Sequence, residues 1–332
     1  MTVSKNKILR KCVSLKVGLL YLIIPVILLP GDGFSSIKIM PLGDSITYDS
    51  YIGDPRLPGQ KTGYRQLLWN LLTNAGYDVD FVGSQLSGQY ALPAFDANNA
   101  GFPGISAYNL ANLLETGYWY NTGEQVTPGP YFDYYPADVI LLHIGTNMLS
   151  VNVDDVERIL DIIDDYSLST QVIIARIIDR VPHSQTVTAY NNALESLVNM
   201  RIIDGDLLTL VDMEEGAGLK YVIGYDMVDY LHPLSFGYER MANVWFGALV
   251  NILPEPLWTS PNILSTPVTQ AIYGFPYHYQ VQARGFPVNY QLITAPNGMV
   301  IEQESGLIDW VPASTGNYEI RIKVSNSLGS DT

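Results

Sequence analysis

Apolar runs and helical periodicities alternate through the larger part of this chain. Short Val, Ile and Leu segments at 37–42, 79–82, 139–144, 172–177 and 207–211 are close to continuously apolar, as strands buried on both faces of a parallel sheet should be. Between them, residues 63–74, 106–115, 154–166, 186–200 and 235–252 carry apolar positions at helical spacing. In the first of these, Tyr64, Leu67, Leu68, Leu71 and Leu72 share one face and Gly76 follows as a stop. Strands alternating with helices predict βαβ units and a doubly wound α/β domain. Such sheets place their chemistry beyond the C-terminal ends of the strands.

The helical pattern stops at Pro254, Pro256, Pro261 and Pro267. Short alternating segments at 277–283, 290–294 and 318–324 follow, separated by Gly, Pro and Asn turns, which predicts a small β-sandwich. At the other end, Lys5, Lys7, Arg10, Lys11 and Lys16 precede a fourteen-residue apolar run, 17–30, broken by Pro25 and followed by Gly33, Ser35 and Ser36. That order reads as a secretory signal, and the run is short for a membrane span of about 20 residues. No A-x-A cleavage site is present, so an uncleaved N-terminal anchor is the alternative. The expected organisation is a signal or anchor at 1–35, an α/β domain at 36–254, a Pro-rich linker at 255–261 and a β-sandwich at 262–332.

Composition narrows the functional classes. Hydrophobic residues make up 47% and charged residues 15%, which excludes a disordered chain. The net charge of −15, from 18 Lys and Arg against 33 Asp and Glu, leaves no electrostatic footprint for nucleic acid or for a membrane beyond the N-terminal signal. The single cysteine, Cys12, lies in that signal. The rest of the chain therefore has no Cys nucleophile, disulfide or Cys-based metal site.

Four segments could carry chemistry. MPLGDSIT, ending at Thr47, follows the first strand; Ser45 there suits a nucleophile whose own N–H faces a developing oxyanion, or Asp44 and Ser45 simply cap a helix. DYLHP places Asp229 three residues before His232, a base with a carboxylate to orient it, or a loop histidine satisfied by its neighbour. LLHIGTN ends a buried strand in Asn147, an oxyanion donor or an Asx turn. AGFPG ends in Gly104, an exposed backbone N–H or a plain turn glycine. The other histidines offer less: His143 sits inside an apolar strand and reads as core, and His183 and His278 have no carboxylate arranged beside them in sequence. The acidic segment 154–165 lacks alternating ligands and the EF-hand glycine, so it reads as a solvated helix face. The aromatic-rich loops around Tyr118, Trp119 and Tyr120 and from Tyr131 to Tyr135 could stack sugars or pack as core.

GDSIT, the FPG glycine, GTN and DxxHP stand in the order of the four blocks of the SGNH (GDSL-type) hydrolase superfamily. Together with GYRQLLWNLLTNAGYDVDFVGSQ, AYNNAL, LVDM and HPLSFGYERMANVWFGAL, the chain resembles the acetyl-xylan-esterase-like branch, carbohydrate esterase family three. The resemblance implies a flavodoxin-like three-layer α/β/α domain with about five parallel strands and a secreted or cell-surface-attached serine esterase needing no metal or organic cofactor. It implies Ser45 as nucleophile, His232 as base and Asp229 as its orienter, with Ser45 N–H, Gly104 N–H and the Asn147 side chain as oxyanion hole. An acetylated polysaccharide such as xylan, or another short-chain ester, is the implied substrate. The rival readings are a lipase, thioesterase or arylesterase on the same triad, and an inactive surface protein that binds carbohydrate.

Three positions depart from the pattern: Ile46 for Leu, Tyr230 for a Gly between Asp and His, and Met148 for the Asp that usually follows GTN. Residues 262–332 resemble the Ig-like modules of bacterial and archaeal surface proteins, which normally add one strand after the N-S-x-G-S-D-T stretch. The expectation is therefore a sandwich truncated at its C-terminus, with an exposed edge and further domains after Thr332.

Overall fold

The computed structural model describes residues 36–147, 151–254, 256, 259–285, 288–303 and 306–332. The basic and apolar N-terminal segment, with Cys12, and Met148 lie outside the described residues. The chain runs through β1 (Ile37–Gly43), a one-turn helix α1 (Ser45–Tyr48), α2 (Arg65–Asn74), β2 (Val79–Phe81), β3 (Gln85–Leu86) and β4 (Asn98–Gly101). It continues through α3 (Ala107–Thr116), β5 (Tyr118–Trp119), β6 (Glu124–Gln125), β7 (Val139–His143) and α4 (Asp154–Tyr166). Then come β8 (Gln171–Arg176), α5 (Gln185–Asp204), β9 (Leu208–Asp212) and α6 (Ser235–Ile252).

Strands β1, β7, β8 and β9 pair in parallel in that order. The other edge of β1 is shared: residues 37–39 pair with β2 and residues 42–43 with β4, both in parallel. Five parallel strand positions result, in the doubly wound arrangement the sequence predicts, and β3 adds an antiparallel edge to β4. The fourth strand is absent from the sequence reading because Asn98-Asn99-Ala100-Gly101 has neither alternation nor β-branched residues. It becomes a strand because it continues the position that β2 vacates.

Alternate sheet residues serve opposite layers, as a pleated strand requires. Met40, Leu42, Ile140, Leu142, Val172 and Ile174 pack with apolar residues of α3, α4 and α5. Ile39, Val139, Leu141, Ile173 and Ala175 pack with α2 and α6, including Leu68, Leu72, Met241 and Trp245. Each Val, Leu, Ile or Met side chain among them stabilises the fold by roughly 1.5–3 kcal/mol when fully buried. Because the chain leaves β1 toward β2 and later returns to its other side as β7, the C-terminal end of β1 is the topological switch point. Among the described residues, no helix is long and apolar enough to cross a membrane.

Beyond residue 259 the strands are β10 (Asn262–Ile263), β11 (Tyr277–Gln280), β12 (Ala283–Arg284), β13 (Asn289–Thr294), β14 (Val300–Ile301), β15 (Leu307–Trp310), β16 (Arg321–Asn326) and β17 (Gly329–Asp331). They form antiparallel sheets β10–β12, β11–β15–β14 and β13–β16–β17. Tyr277, Tyr279, Tyr290, Ile308, Trp310 and Val324 make their common core, an Ig-like all-β arrangement. The segment 277–283, one strand by pattern, is split after Gln280. The strand expected from 318 begins at Arg321 because Tyr318 is held in a loop, edge-on to Trp310 at 5.1 Å and bonded to the Ser314 carbonyl. β17 pairs with β16, and the Asp331 carboxylate accepts the Ile263 N–H at 2.8 Å, tying the last strand to the first.

Candidate active site

Gly101, Gly43 and His143 lie side by side in the register of β4, β1 and β7. The three loops leaving these strand ends carry Gly104, Ser45 and Asn147, so the parallel register alone gathers the candidates at the switch point. Asp44 caps α1 by accepting the Ile46 N–H at 3.0 Å, which puts Ser45 at the first helical position. There a backbone N–H has no acceptor within its own helix. Capping and an available serine hydroxyl thus coexist, on adjacent residues.

The Ser45 hydroxyl lies 3.0 Å from His232 Nε2, and both residues are buried. On the far side of the ring, Nδ1 lies 2.9 Å from Asp229 Oδ2. The Asp229 carboxylate also accepts the backbone N–H groups of Leu231 and His232, each at 2.7 Å. Partial burial pushes this carboxyl upward, but those two donors and the imidazole outweigh it and hold it below the usual carboxylate range. It therefore stays ionised beside Nδ1, leaving Nε2 to face the hydroxyl as a proton acceptor. The loop is pinned around these residues by Val228 N–H on the His232 carbonyl, Leu234 N–H on the Asp226 carbonyl and Val181 N–H on the Tyr230 carbonyl. Tyr230 keeps a negative φ, so a side chain in place of glycine introduces no left-handed strain, and its ring is exposed.

Phe102-Pro103-Gly104-Ile105 is a tight turn closed by Ile105 N–H on the Phe102 carbonyl at 3.1 Å. Gly104 sits at its third position with φ +80°, the type II geometry that a Pro-Gly pair favours. The turn is anchored to β1, the strand that leads into Ser45, by Phe102 N–H on the Gly43 carbonyl at 2.9 Å. Asn147 Nδ2 donates to the Ile105 carbonyl at 3.0 Å; an amide nitrogen carries two hydrogens, so one remains for a second acceptor. Gly145 upstream has φ +128°, and a Cβ there would lie 2.5 Å from the Tyr190 ring. The Tyr190 hydroxyl donates to the Ile144 carbonyl at 2.8 Å. Tyr190 therefore packs into the space that glycine leaves and holds the loop leading to Asn147.

The reading of the remaining histidines requires a correction. His183 Nδ1 lies 2.5 Å from Asp179, and His278 Nδ1 is bonded to Asp309. The first partner is four residues away across a loop, and the second is brought opposite by the antiparallel register of β11 and β15. Asp179 stands within reach of His183 in the sequence itself, whereas no local pattern links His278 to Asp309. His143 is fully buried, and burial lowers it to about 4, so it is neutral at pH 7. The acidic residues of α4 are exposed or half-buried, as a solvated helix face should be, and two of them, Asp161 and Asp164, also pair with Arg201 of α5. Trp119, Tyr131 and Phe132 are buried, with Trp119 and Tyr131 edge-on to Phe102 at 5.2 and 6.0 Å. Tyr120 and Tyr134 are exposed.

Asp44 is fully buried, which its place in the motif does not reveal. Desolvation raises it from 3.8 to about 6, against donors from Ile46 and Thr146 and the nearby His232. An acid raised on folding contributes its full stability below its unfolded value, and that contribution is lost as pH rises from about 4 to 6. Asp44→Asn retains the Ile46 cap without the charge. It is expected to flatten thermal unfolding between pH 4 and 6 and to gain about 2–3 kcal/mol at pH 7. Thermal melts across that range check it, and an unchanged wild-type-like slope would count against the buried charge.

Residues 260–332 match the sequence profile of the family described as "Putative Ig domain". A multidomain esterase of Ruminococcus flavefaciens is 29% identical over 239 residues, which are 63% of this chain and 28% of that protein. This chain thus spans under a third of that relative's length. Among solved structures, the family 3 carbohydrate esterase of Clostridium thermocellum is similar at 28% identity and a TM-score of 0.52, over 66% of this chain and 97% of that one. A carbohydrate esterase family 3 protein from Talaromyces cellulolyticus shares the fold at 23% identity and a TM-score of 0.52, over 65% of this chain and 97% of its own.

Proposed function

We propose that this chain, a member of the SGNH (GDSL-type) hydrolase superfamily with an Ig-like C-terminal region, is a secreted serine esterase that removes O-acetyl groups from a polysaccharide such as xylan. The observation that carries the esterase reading is the Ser45 hydroxyl at 3.0 Å from His232 Nε2, with Asp229 on Nδ1. In this reading Ser45 Oγ attacks the ester carbonyl carbon while its proton passes to His232 Nε2. The carbonyl π pair moves onto oxygen, where Ser45 N–H, Gly104 N–H and Asn147 Nδ2 receive it. Each such donor is worth roughly 2.7–4 kcal/mol in comparable sites. Collapse of the intermediate breaks the bond to the sugar oxygen, which takes the proton from His232, and leaves Ser45 acetylated. Water then attacks with His232 as base, releasing acetate and restoring the serine.

The similarity to a carbohydrate esterase of known structure supports a carbohydrate ester as substrate, and the basic and apolar N-terminal pattern supports export. The Ig-like region is read as a spacer. The test is to compare 4-nitrophenyl acetate with 4-nitrophenyl octanoate and to follow acetate release from acetylated xylan. Acetyl is expected to be preferred by about tenfold or more, with acetate released from the polymer. Faster octanoyl turnover would convert the reading to a lipase, and an inert polymer would remove the polysaccharide from it.

A further inference from the structure

Gly104 itself is exposed between the buried Phe102 and Ile105, and nothing lies within 4 Å of where a Cβ on Gly104 would point. Steric packing at that residue therefore does not locate it, although an oxyanion donor must be held within about 0.5 Å of its working position. The hairpin of β5 and β6 supplies what the glycine lacks. Asn121, at its tip, donates from Nδ2 to the Gly104 carbonyl at 3.1 Å. Its own carbonyl oxygen accepts Asn109 Nδ2 from α3 at 2.8 Å, which fixes which way the Asn121 amide faces. Trp119 of the same hairpin packs edge-on against Phe102, the first residue of the turn. With Asn147 on the Ile105 carbonyl, both carbonyls that follow the Gly104 N–H are tethered from outside the turn.

We infer that Asn121, oriented by Asn109, is a positioning residue of the oxyanion hole: it holds the Gly104 turn in place for ester hydrolysis without touching substrate. The inference rests on the esterase reading of Ser45, and it adds a role for a hairpin that the catalytic motifs do not include. A turn free to drift by about 1 Å loses transition-state stabilisation, a displacement that can cost up to about a hundredfold in rate. Substrate binding in the ground state loses little.

The experiment measures kcat and KM separately for 4-nitrophenyl acetate, with thermal midpoints, in wild type, Ser45→Ala, Asn121→Ala, Asn121→Asp and Tyr120→Ala. Asn121→Asp is isosteric and still accepts from Asn109, but it turns a carboxylate oxygen toward the Gly104 carbonyl. Both Asn121 variants are expected to lose about tenfold in kcat with KM within about twofold and an unchanged midpoint. Tyr120→Ala, on the same hairpin without the tether, is expected to match wild type. Wild-type kcat in Asn121→Asp, or an equal loss in Tyr120→Ala, would overturn the positioning role while an inactive Ser45→Ala leaves the esterase reading standing. A fully active Ser45→Ala would overturn both.

Discussion

Ser45→Ala is expected to lower kcat for 4-nitrophenyl acetate by about 10⁴–10⁶-fold while leaving the fold intact. In the proposed mechanism the substitution deletes the atom that forms the new bond to the acyl carbon. Retained are the backbone N–H of residue 45, the Gly104 turn and Asn147, so slow water attack assisted by the oxyanion donors should survive. The structural cost is small, because one hydrogen bond to His232 Nε2 is lost, worth about 1 kcal/mol. His232→Ala should fall to a similar floor, and the double variant should fall little further, since in the proposed mechanism the two groups act in one proton-transfer step. Stopped assays with purified variants and a matched melting curve check this. A Ser45→Ala enzyme within tenfold of wild type would place ester cleavage at another residue.

The largest effect on stability is expected from Arg65→Met, at about 3–5 kcal/mol. Arg65 is fully buried in α2, with its guanidinium spread over main-chain carbonyls. It donates to the carbonyls of Thr47 at 2.9 Å, Ser87 at 2.8 Å and Lys61 at 2.7 Å, with longer bonds to Tyr48 and Ala97. The Ser87 hydroxyl accepts as well, at 2.9 Å. Burial draws the group down to about 10, which still leaves it charged at pH 7. Methionine fills much of the volume and deprives the Thr47, Lys61 and Ser87 carbonyls of this donor, each worth about 1–3 kcal/mol if water does not replace the lost bond, while the Tyr48 and Ala97 carbonyls keep other donors. Urea unfolding should show a lower midpoint at an unchanged slope. A loss under about 1 kcal/mol would mean that water reaches the carbonyls. Because Thr47 and Tyr48 belong to α1, a parallel fall in kcat is expected in whatever fraction remains folded.

Sequence reasoning reached far where the signal is short-range. The strand of residues 139–143 reads as buried from its own five apolar and His positions, because a parallel strand covered on both faces needs apolar residues throughout. The strand of residues 98–101 does not, because its pairing is imposed by the vacancy beside Gly43 and its own residues express no preference. The same division holds in the site. Asp229 and His232 are three residues apart, and the turn between them suffices to bring carboxylate to imidazole. Asn121 lies 17 residues from Gly104 and Asp309 lies 31 from His278, and no local pattern links either pair.

What the sequence by itself determined was the doubly wound α/β class, the all-β region after the prolines, and which short motifs stand at strand ends. Periodicity, turn residues and charge are properties of neighbouring positions, so they can be read without a fold. Only the tertiary structure decided that the loops after Gly43, Gly101 and His143 open side by side, that Asp44 is buried beside the serine, and that His278 has an acidic partner. Those outcomes depend on strand register and helix packing between segments tens of residues apart, where the position of one side chain is set by the path of the whole chain.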